Sequence, residues 1–199
     1  MATKLPMSID RSSLPTSFPT HKHAPMFWEQ LGRTIATFGF LEMVLGKAIF
    51  ALTLTRTCTG AEVAAAEELL TKTFEHALSD TLRPLAESFR KAVIANHSSV
   101  VEDVDVLVKN IKAAAKIRDI LCHASWDSPD SEGMSLPFFV NTKKEIVETK
   151  MNAAFLRQTQ EGVVEIVCDV IESVTKMGYQ FPGGGGQGER IWTHRADAD

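Results

Sequence analysis

The stretch KIRDILCHASW, from Lys116 to Trp126, closes a long helical pattern and places an arginine where that pattern requires an apolar residue. At about 100° per residue, Arg118 falls near the middle of the face predicted to be buried. That face comprises Val100, Val104, Leu107, Ile111, Ala115, Cys122 and Ser125. An unpaired buried charge is unfavourable by several kcal/mol, so such groups are paired or functional. Arg118 therefore predicts an ionic partner, an anionic ligand or both.

The longest apolar pattern, over residues 26–54, contains the opposite charge. Glu42 falls inside its predicted buried face, which comprises Phe27, Leu31, Ile35, Phe38, Leu45, Ile49 and Leu52. Because each of two long helices has one charge in such a face, we expect Glu42 and Arg118 to meet in the bundle or at a cleft opening onto it. Two compatible interpretations stay open. The pair is a salt bridge that fixes helix register, or its carboxylate orients Arg118 toward an anion.

Glycines recur on one flank of the same helix. Gly32, Gly39 and Gly46 are seven residues apart and lie beside Ala36. Each glycine inside a helix is about 1 kcal/mol less favourable than alanine. The pattern indicates that another helix approaches the backbone here, and this helix is either an intrachain neighbour or the twin helix of a dimer.

Helical periodicity extends over most of the chain and predicts an all-α fold. We predict a five-helix bundle with helices over residues 26–54, 61–78, 81–96, 100–126 and 152–177. The segments SLPFFVN and EIVETKM flank the polar TKK and predict a short β-hairpin before the last helix. The helical domain is expected over residues 26–180. Prolines among serines and threonines predict a flexible N-terminal arm over residues 1–25, and a glycine run predicts a flexible tail over residues 181–199.

Composition excludes several classes of protein. The chain has 199 residues and a net charge of −4, which argues against a broad surface that coats nucleic acid. No run of eighteen apolar residues occurs, so no membrane span is expected. The three cysteines, Cys58, Cys122 and Cys168, form no CxxC pair and suit a reducing cytoplasm. No Glu-x-x-His pair exists for a di-iron site. We expect a cytoplasmic protein without a metal or other cofactor.

His123 is a second candidate functional residue in the stretch from Lys116 to Trp126. It lies about 140° around an ideal helix from Arg118, so the two side chains do not readily reach one atom. They would converge if the helix frays near its end, or if a second subunit supplies half of the site. His123 instead shares a face with Lys109, Lys112 and Lys116. A lone histidine at a helix end is most often a surface residue.

The segment from Arg118 to His123 is an R-x4-H motif in which the polar Asp119 directly follows the arginine. With its place late in a long helix of an all-helical domain, it resembles the HEPN superfamily (higher eukaryotes and prokaryotes nucleotide-binding domain). In the ribonuclease-type members of that family, R-x(4–6)-H is the motif. The resemblance covers residues 26–180 in helix order and about six positions in motif.

The resemblance implies a metal-independent endoribonuclease that acts as a homodimer, with the two motifs facing each other. It implies that His123 is a general acid or base, that Arg118 stabilises phosphoryl charge and that Asp119 orients one of them. Glu42 would support Arg118, and the lysines would hold the RNA backbone. A role as a toxin or defence effector is implied, with an antitoxin or a nucleotidyltransferase as a partner. The alternative is a non-catalytic helical dimerisation or interaction module.

Overall fold

Four α-helices surround one apolar core. The computed structural model describes residues 8–56, 81–140, 144 and 146–191, and the counts of elements here refer to those ranges. Its helices are α1 (Pro25–Leu54), α2 (Leu82–Ala95), α3 (Val104–His123) and α4 (Ala153–Thr175). Two short antiparallel strands, β1 (Ser125–Trp126) and β2 (Pro137–Phe138), lie between α3 and α4, and a 3-10 turn covers Arg11–Ser13.

Helix α1 forms the centre of the core. It packs most extensively against α4 and then against α2, which in turn packs against α3. Phe38, Leu41 and Leu45 of α1 are fully buried, and burial of each such side chain stabilises the fold by about 1.5–3 kcal/mol. The Asn96 side chain donates a hydrogen bond to the carbonyl oxygen of Leu52 at 2.8 Å. It thereby satisfies one of the carbonyls left open at the end of α1.

The all-α prediction is confirmed, and four of the five predicted helices fall on observed ones. The helix predicted over residues 61–78 lies outside the described residues, which contain four helices rather than five. The prediction for α3 was three to four residues too long at each end. The helix begins at Val104 because the Asp103 side chain caps it, accepting a hydrogen bond from the Val106 amide at 3.0 Å.

The end of α3 differs from the prediction because strand pairing competes with the helix. Ala124 has an extended backbone, and Ser125 and Trp126 pair with Phe138 and Pro137. Ser125 is therefore not part of a buried helical face. Trp126 instead packs against the core, with its ring centroid 5.0 Å from that of Phe27.

The predicted hairpin is present as two isolated antiparallel bridges. Ser135 pairs with Met151 and Val140 pairs with Ile146, so both bridges share one register. Ser135 and Met151 exchange backbone hydrogen bonds of 2.9 and 2.8 Å. The pairing of this hairpin with the end of α3 was not predicted. It fixes the hairpin beside the stretch from Lys116 to Trp126.

The segment before α1 contacts the domain. His23 is 8% exposed, and its Nε2 lies 3.0 Å from Ser135 Oγ. The indole N–H of Trp28 donates to the Thr20 carbonyl oxygen at 2.9 Å. Burial lowers the pKa of His23, while a hydrogen bond to the Asp127 backbone opposes that shift. The residues just before α1 are thereby tied to the hairpin.

The glycine-rich segment after α4 folds into a closed loop. The helix ends at Thr175, two residues before the predicted end, and Gly178, with φ +91°, lies in the turn that follows. The Gln180 amide donates to the Glu189 carbonyl, and the Glu189 amide donates to that of Gly178, each at 2.8 Å. Gly188 has φ +123°, and a Cβ there would lie 2.8 Å from the Tyr179 carbonyl carbon. The closure therefore requires glycine at this position.

One helix of the described part, α1, is long and apolar enough to cross a bilayer by length and composition. Its most apolar 18-residue window has a mean hydropathy of 1.7, and half of that window is buried inside the structure. Core helices meet the same test. The absence of a membrane span therefore stays a prediction.

Candidate functional site

Four charged side chains from α1, α2 and α3 form an ion-pair cluster. Glu42 of α1 and Arg118 of α3 approach to 3.8 Å between Oε1 and Nη2. Arg118 Nη1 lies 3.7 Å from Asp119 Oδ1. Asp119 Oδ2 accepts a hydrogen bond of 2.6 Å from Nη1 of Arg83 on α2. The two charges that the sequence places in apolar faces thus meet, as expected from their opposite signs.

The contact between Glu42 and Arg118 is an ion pair without a hydrogen bond. Both side chains are about three-quarters buried, with 24% and 27% exposure. Oε1 of Glu42 is buried and has no hydrogen-bond partner among the described residues. The 3.8 Å and 3.7 Å contacts of Arg118 also exceed hydrogen-bond distance. Its guanidinium is therefore held by charge, while none of its N–H donors is used by another described residue, which leaves them available to an anion.

Arg83 is a member of the cluster that the sequence did not predict. It directly precedes Pro84 in the first turn of α2 and belongs to no motif. Asp119, which was expected to orient Arg118 or His123, makes its hydrogen bond to Arg83 instead. Its contact with Arg118 is a longer one at 3.7 Å.

The predicted lysine strip lines a groove between α2 and α3, which we call the basic groove. Lys109, Lys112 and Lys116 share this groove of about 470 Å³. Lys109 and Lys116 are exposed, whereas Lys112 is ion-paired with Glu87. The hydrogen bond from Lys112 lowers the pKa of Glu87. Two lysines thus remain for an anionic ligand, and one is already neutralised.

A second ion pair closes one side of the basic groove. Arg90 Nε donates to Asp105 Oδ1 at 2.6 Å. This hydrogen bond lowers the pKa of Asp105 and raises that of Arg90. Neither Glu87 nor Arg90 was predicted, because the sequence does not show which residues of α2 face α3.

His123 is exposed and is the last residue of α3. It follows Lys116 by seven residues, or about 10 Å along the helix, on the same face. The helix continues through His123, so fraying does not bring the histidine toward Arg118. About 140° of rotation still separates the two side chains. A single copy of the chain therefore does not place both of them around one atom.

The repeated glycines of α1 are not explained by packing within the described ranges. No heavy atom there lies within 4 Å of a Cβ built on Gly32 or Gly39. Ala36 is exposed beside them, as is Met43 at 44%. No helix of the described part packs against these two glycines, so the intrachain neighbour and the twin helix both stay predictions. Gly46 is buried.

The free thiols are separate from these sites. Cys122 is exposed rather than part of the buried face, because the final turn of α3 faces the core through Leu121, which is buried. Cys168 on α4 is also exposed, and Cys58 lies outside the described residues. No group of three or more His, Cys, Asp or Glu side chains in the described part is placed to hold a metal ion.

No protein-family model matches the chain, and no curated protein or solved structure matches it.

Proposed function

We propose that the chain is a HEPN-like, metal-independent endoribonuclease that acts as a homodimer. The observation that supports this proposal is the burial of Arg118 together with its contacts. Its guanidinium is held three-quarters buried by carboxylates at 3.7 and 3.8 Å, yet it forms no hydrogen bond within the described residues. A preoriented arginine with free donors suits the oxygens of a phosphodiester.

The proposed reaction is a transesterification within RNA. His123 removes the proton of a ribose 2′-hydroxyl, whose oxygen attacks the adjacent phosphorus. The bond from phosphorus to the 5′-oxygen breaks, and that oxygen leaves with the proton that the same His123 has taken from the 2′-hydroxyl. Arg118 stabilises the charge that develops on the phosphoryl oxygens. The products are a 2′,3′-cyclic phosphate and a 5′-hydroxyl.

The geometry of α3 supports the dimeric form of this proposal. Since Arg118 and His123 point about 140° apart, Arg118 of one copy is expected to act with His123 of the other. Lys109 and Lys116 lie on the face of His123 and would guide the RNA backbone toward it. The glycine face of α1, which no other described residue covers, is the proposed contact between copies, since small residues allow close approach of two helices.

A cleavage assay tests the chemistry. Purified protein is incubated with end-labelled single-stranded RNA in EDTA, and the termini of the products are identified. We expect His123→Ala to lower the rate at least about a hundredfold, the usual contribution of a general acid–base. His97→Ala, a change at an exposed histidine outside α3, is the matched control and should keep full activity. Equal inertness of wild type and His123→Ala toward varied RNAs would reject the proposal.

Mixing inactive variants tests the shared site. Arg118→Ala and His123→Ala are each inactive, but a mixed dimer contains one site in which both residues are intact. Random exchange makes half of the dimers mixed, so about a quarter of wild-type activity should return. If both residues of a site come from one chain, mixing restores nothing.

The second candidate is a non-catalytic interaction module. The hydrogen bond from Arg83 to Asp119 favours it, because the ion-pair cluster ties three helices together and has a structural role without any ligand. Under this alternative, Arg118 fixes helix register and His123 is an ordinary surface residue. Dimerisation without RNA cleavage would distinguish it from the nuclease.

A further inference from the structure

A second groove lies on the opposite side of α3 from the basic groove, where the start of α3 meets the end of α4. We call it the acidic groove; its volume is about 580 Å³. Its apolar part consists of Val100, Val101, Val106 and Leu107. Val100 is 47% exposed and Val106 is 52% exposed, so both are left open to a ligand. The groove spans about two helical turns of each wall, or about 10 Å.

Acidic side chains surround this apolar surface. Glu102, Asp169 and Glu172 line the groove, together with Asp103, whose carboxylate is occupied by capping α3. One cation, Lys176, lines it as well. The end of α4 also lies here and adds the partial negative charge of a helix C-terminus.

The carboxylates are spread along the groove rather than gathered at a point. No set of three or more His, Cys, Asp or Glu side chains in the described ranges is placed to hold a metal ion, and these acids are included in that finding. Negative charge also repels RNA phosphates and anionic lipid headgroups. Spaced acids around exposed valines instead match a segment whose lysines or arginines flank apolar side chains.

We propose that the acidic groove binds a basic, amphipathic segment of a partner protein. The apolar side chains of the segment cover Val100 and Val106, and its cations pair with Glu102, Asp169 and Glu172. This site is independent of the proposed nuclease site.

Lys176 is a cation that already pairs with a carboxylate of the acidic groove. Its Nζ lies 2.5 Å from Glu172 Oε2. The hydrogen bond that Lys176 donates to Glu172 raises the pKa of Lys176, as do the charges of Glu172, Asp169 and Glu102 in that order. Lys176 thus occupies a position that a cation of the partner would take, and its removal should favour binding.

The test uses a labelled synthetic peptide of fourteen residues. Its leucines are spaced so that they share one face of a helix, and its lysines occupy the other face. A glutamate version of equal length is the control peptide. Fluorescence anisotropy with the full chain should show binding of the lysine peptide only. The double variant Asp169→Asn/Glu172→Gln should bind about tenfold more weakly, the combined effect of two exposed charge contacts. Lys176→Gln should bind more tightly than wild type.

Glu161→Gln is the matched control variant, since Glu161 is exposed on α4 two turns before the groove. It should bind as wild type does, and circular dichroism should show that all variants are folded. Any of three results would overturn the proposal. These are wild-type affinity of the double variant for the lysine peptide, a loss of affinity in Glu161→Gln as large as that in the double variant, and no binding of the lysine peptide by wild type. RNA cleavage should be unchanged in every groove variant.

Discussion

The ion pair between Glu42 and Arg118 allows a quantitative prediction about stability. Arg118→Ala leaves the carboxylate of Glu42 partly buried, without a cation from the described part of the chain and without a hydrogen bond there at Oε1. Glu42→Gln removes the charge and keeps the shape of the side chain, so Arg118 retains Asp119 at 3.7 Å. We therefore expect the arginine substitution to be the more destabilising of the two.

The distance between the two charges determines the magnitude of the coupling free energy between Glu42 and Arg118. Two unit charges 3.8 Å apart attract by about 4 kcal/mol at an effective dielectric constant of about 20, and by about 1 kcal/mol in water. Exposure of about a quarter of each side chain places the pair between these limits, and the missing hydrogen bond weakens it. We expect a coupling free energy of about 1–2 kcal/mol. The loss in Arg118→Ala should be about 2–3 kcal/mol and that in Glu42→Gln about 1 kcal/mol.

Urea unfolding of wild type, both single variants and the double variant at pH 7 measures this coupling. The exposed pair of Glu29 and Arg33 on the same helix is the matched control. Its side chains are 61% and 64% exposed, and its coupling should not exceed about 0.5 kcal/mol. A coupling between Glu42 and Arg118 no larger than that of the control pair would refute the reasoning.

Three further outcomes are expected. Burial holds the pKa of His23 below the unfolded value of about 6.5, so the contribution of His23 to stability is complete above that pH and is lost as pH falls. Between pH 7 and 5, the free energy of unfolding of wild type should therefore decrease more than that of His23→Gln. Parallel pH profiles of the two proteins would contradict this. Gly188→Ala should open the C-terminal loop and speed its proteolysis, since the added carbon meets the Tyr179 backbone at 2.8 Å, whereas Gly185→Ala, with no atom within 4 Å, should not. Gly39→Ala should raise the stability of the isolated chain by up to about 1 kcal/mol and weaken any dimer formed through α1, as thermal melts and sedimentation at several concentrations would show.

Helical periodicity was sufficient for the long elements because burial of one face determines them. The helix predicted over residues 26–54 is observed as Pro25–Leu54, and Glu42 and Arg118 were correctly paired from opposite charges in two such faces. The limits of α3 were less accurate, because Asp103 as an N-cap outweighs the apolar residues before it. Strand pairing of Ser125 with Phe138, 13 positions away, ends the helix, and periodicity contains no information about such pairing.

The surroundings of the site depend on which helix faces which, and the sequence could not supply this. Arg83 contacts Asp119, and Glu87 neutralises Lys112, because α2 packs beside α3. The acidic groove was missed for the same reason. Its acids are distant in sequence, at the start of α3 and the end of α4, and form no motif.

The anchoring of the segment before α1 has a practical consequence for shortened forms of the protein. Pro25 is the point at which composition suggests that the chain be cut, but a cut there removes the His23 ring, whose centroid lies 4.5 Å from that of Phe27. It also removes the acceptor of the Trp28 indole at Thr20. Two aromatic side chains would then be exposed to water, and the hairpin would lose the hydrogen bond between Ser135 Oγ and His23 Nε2. Recombinant versions that include Thr20 and His23 retain this cover, whereas versions that begin at Pro25 should aggregate.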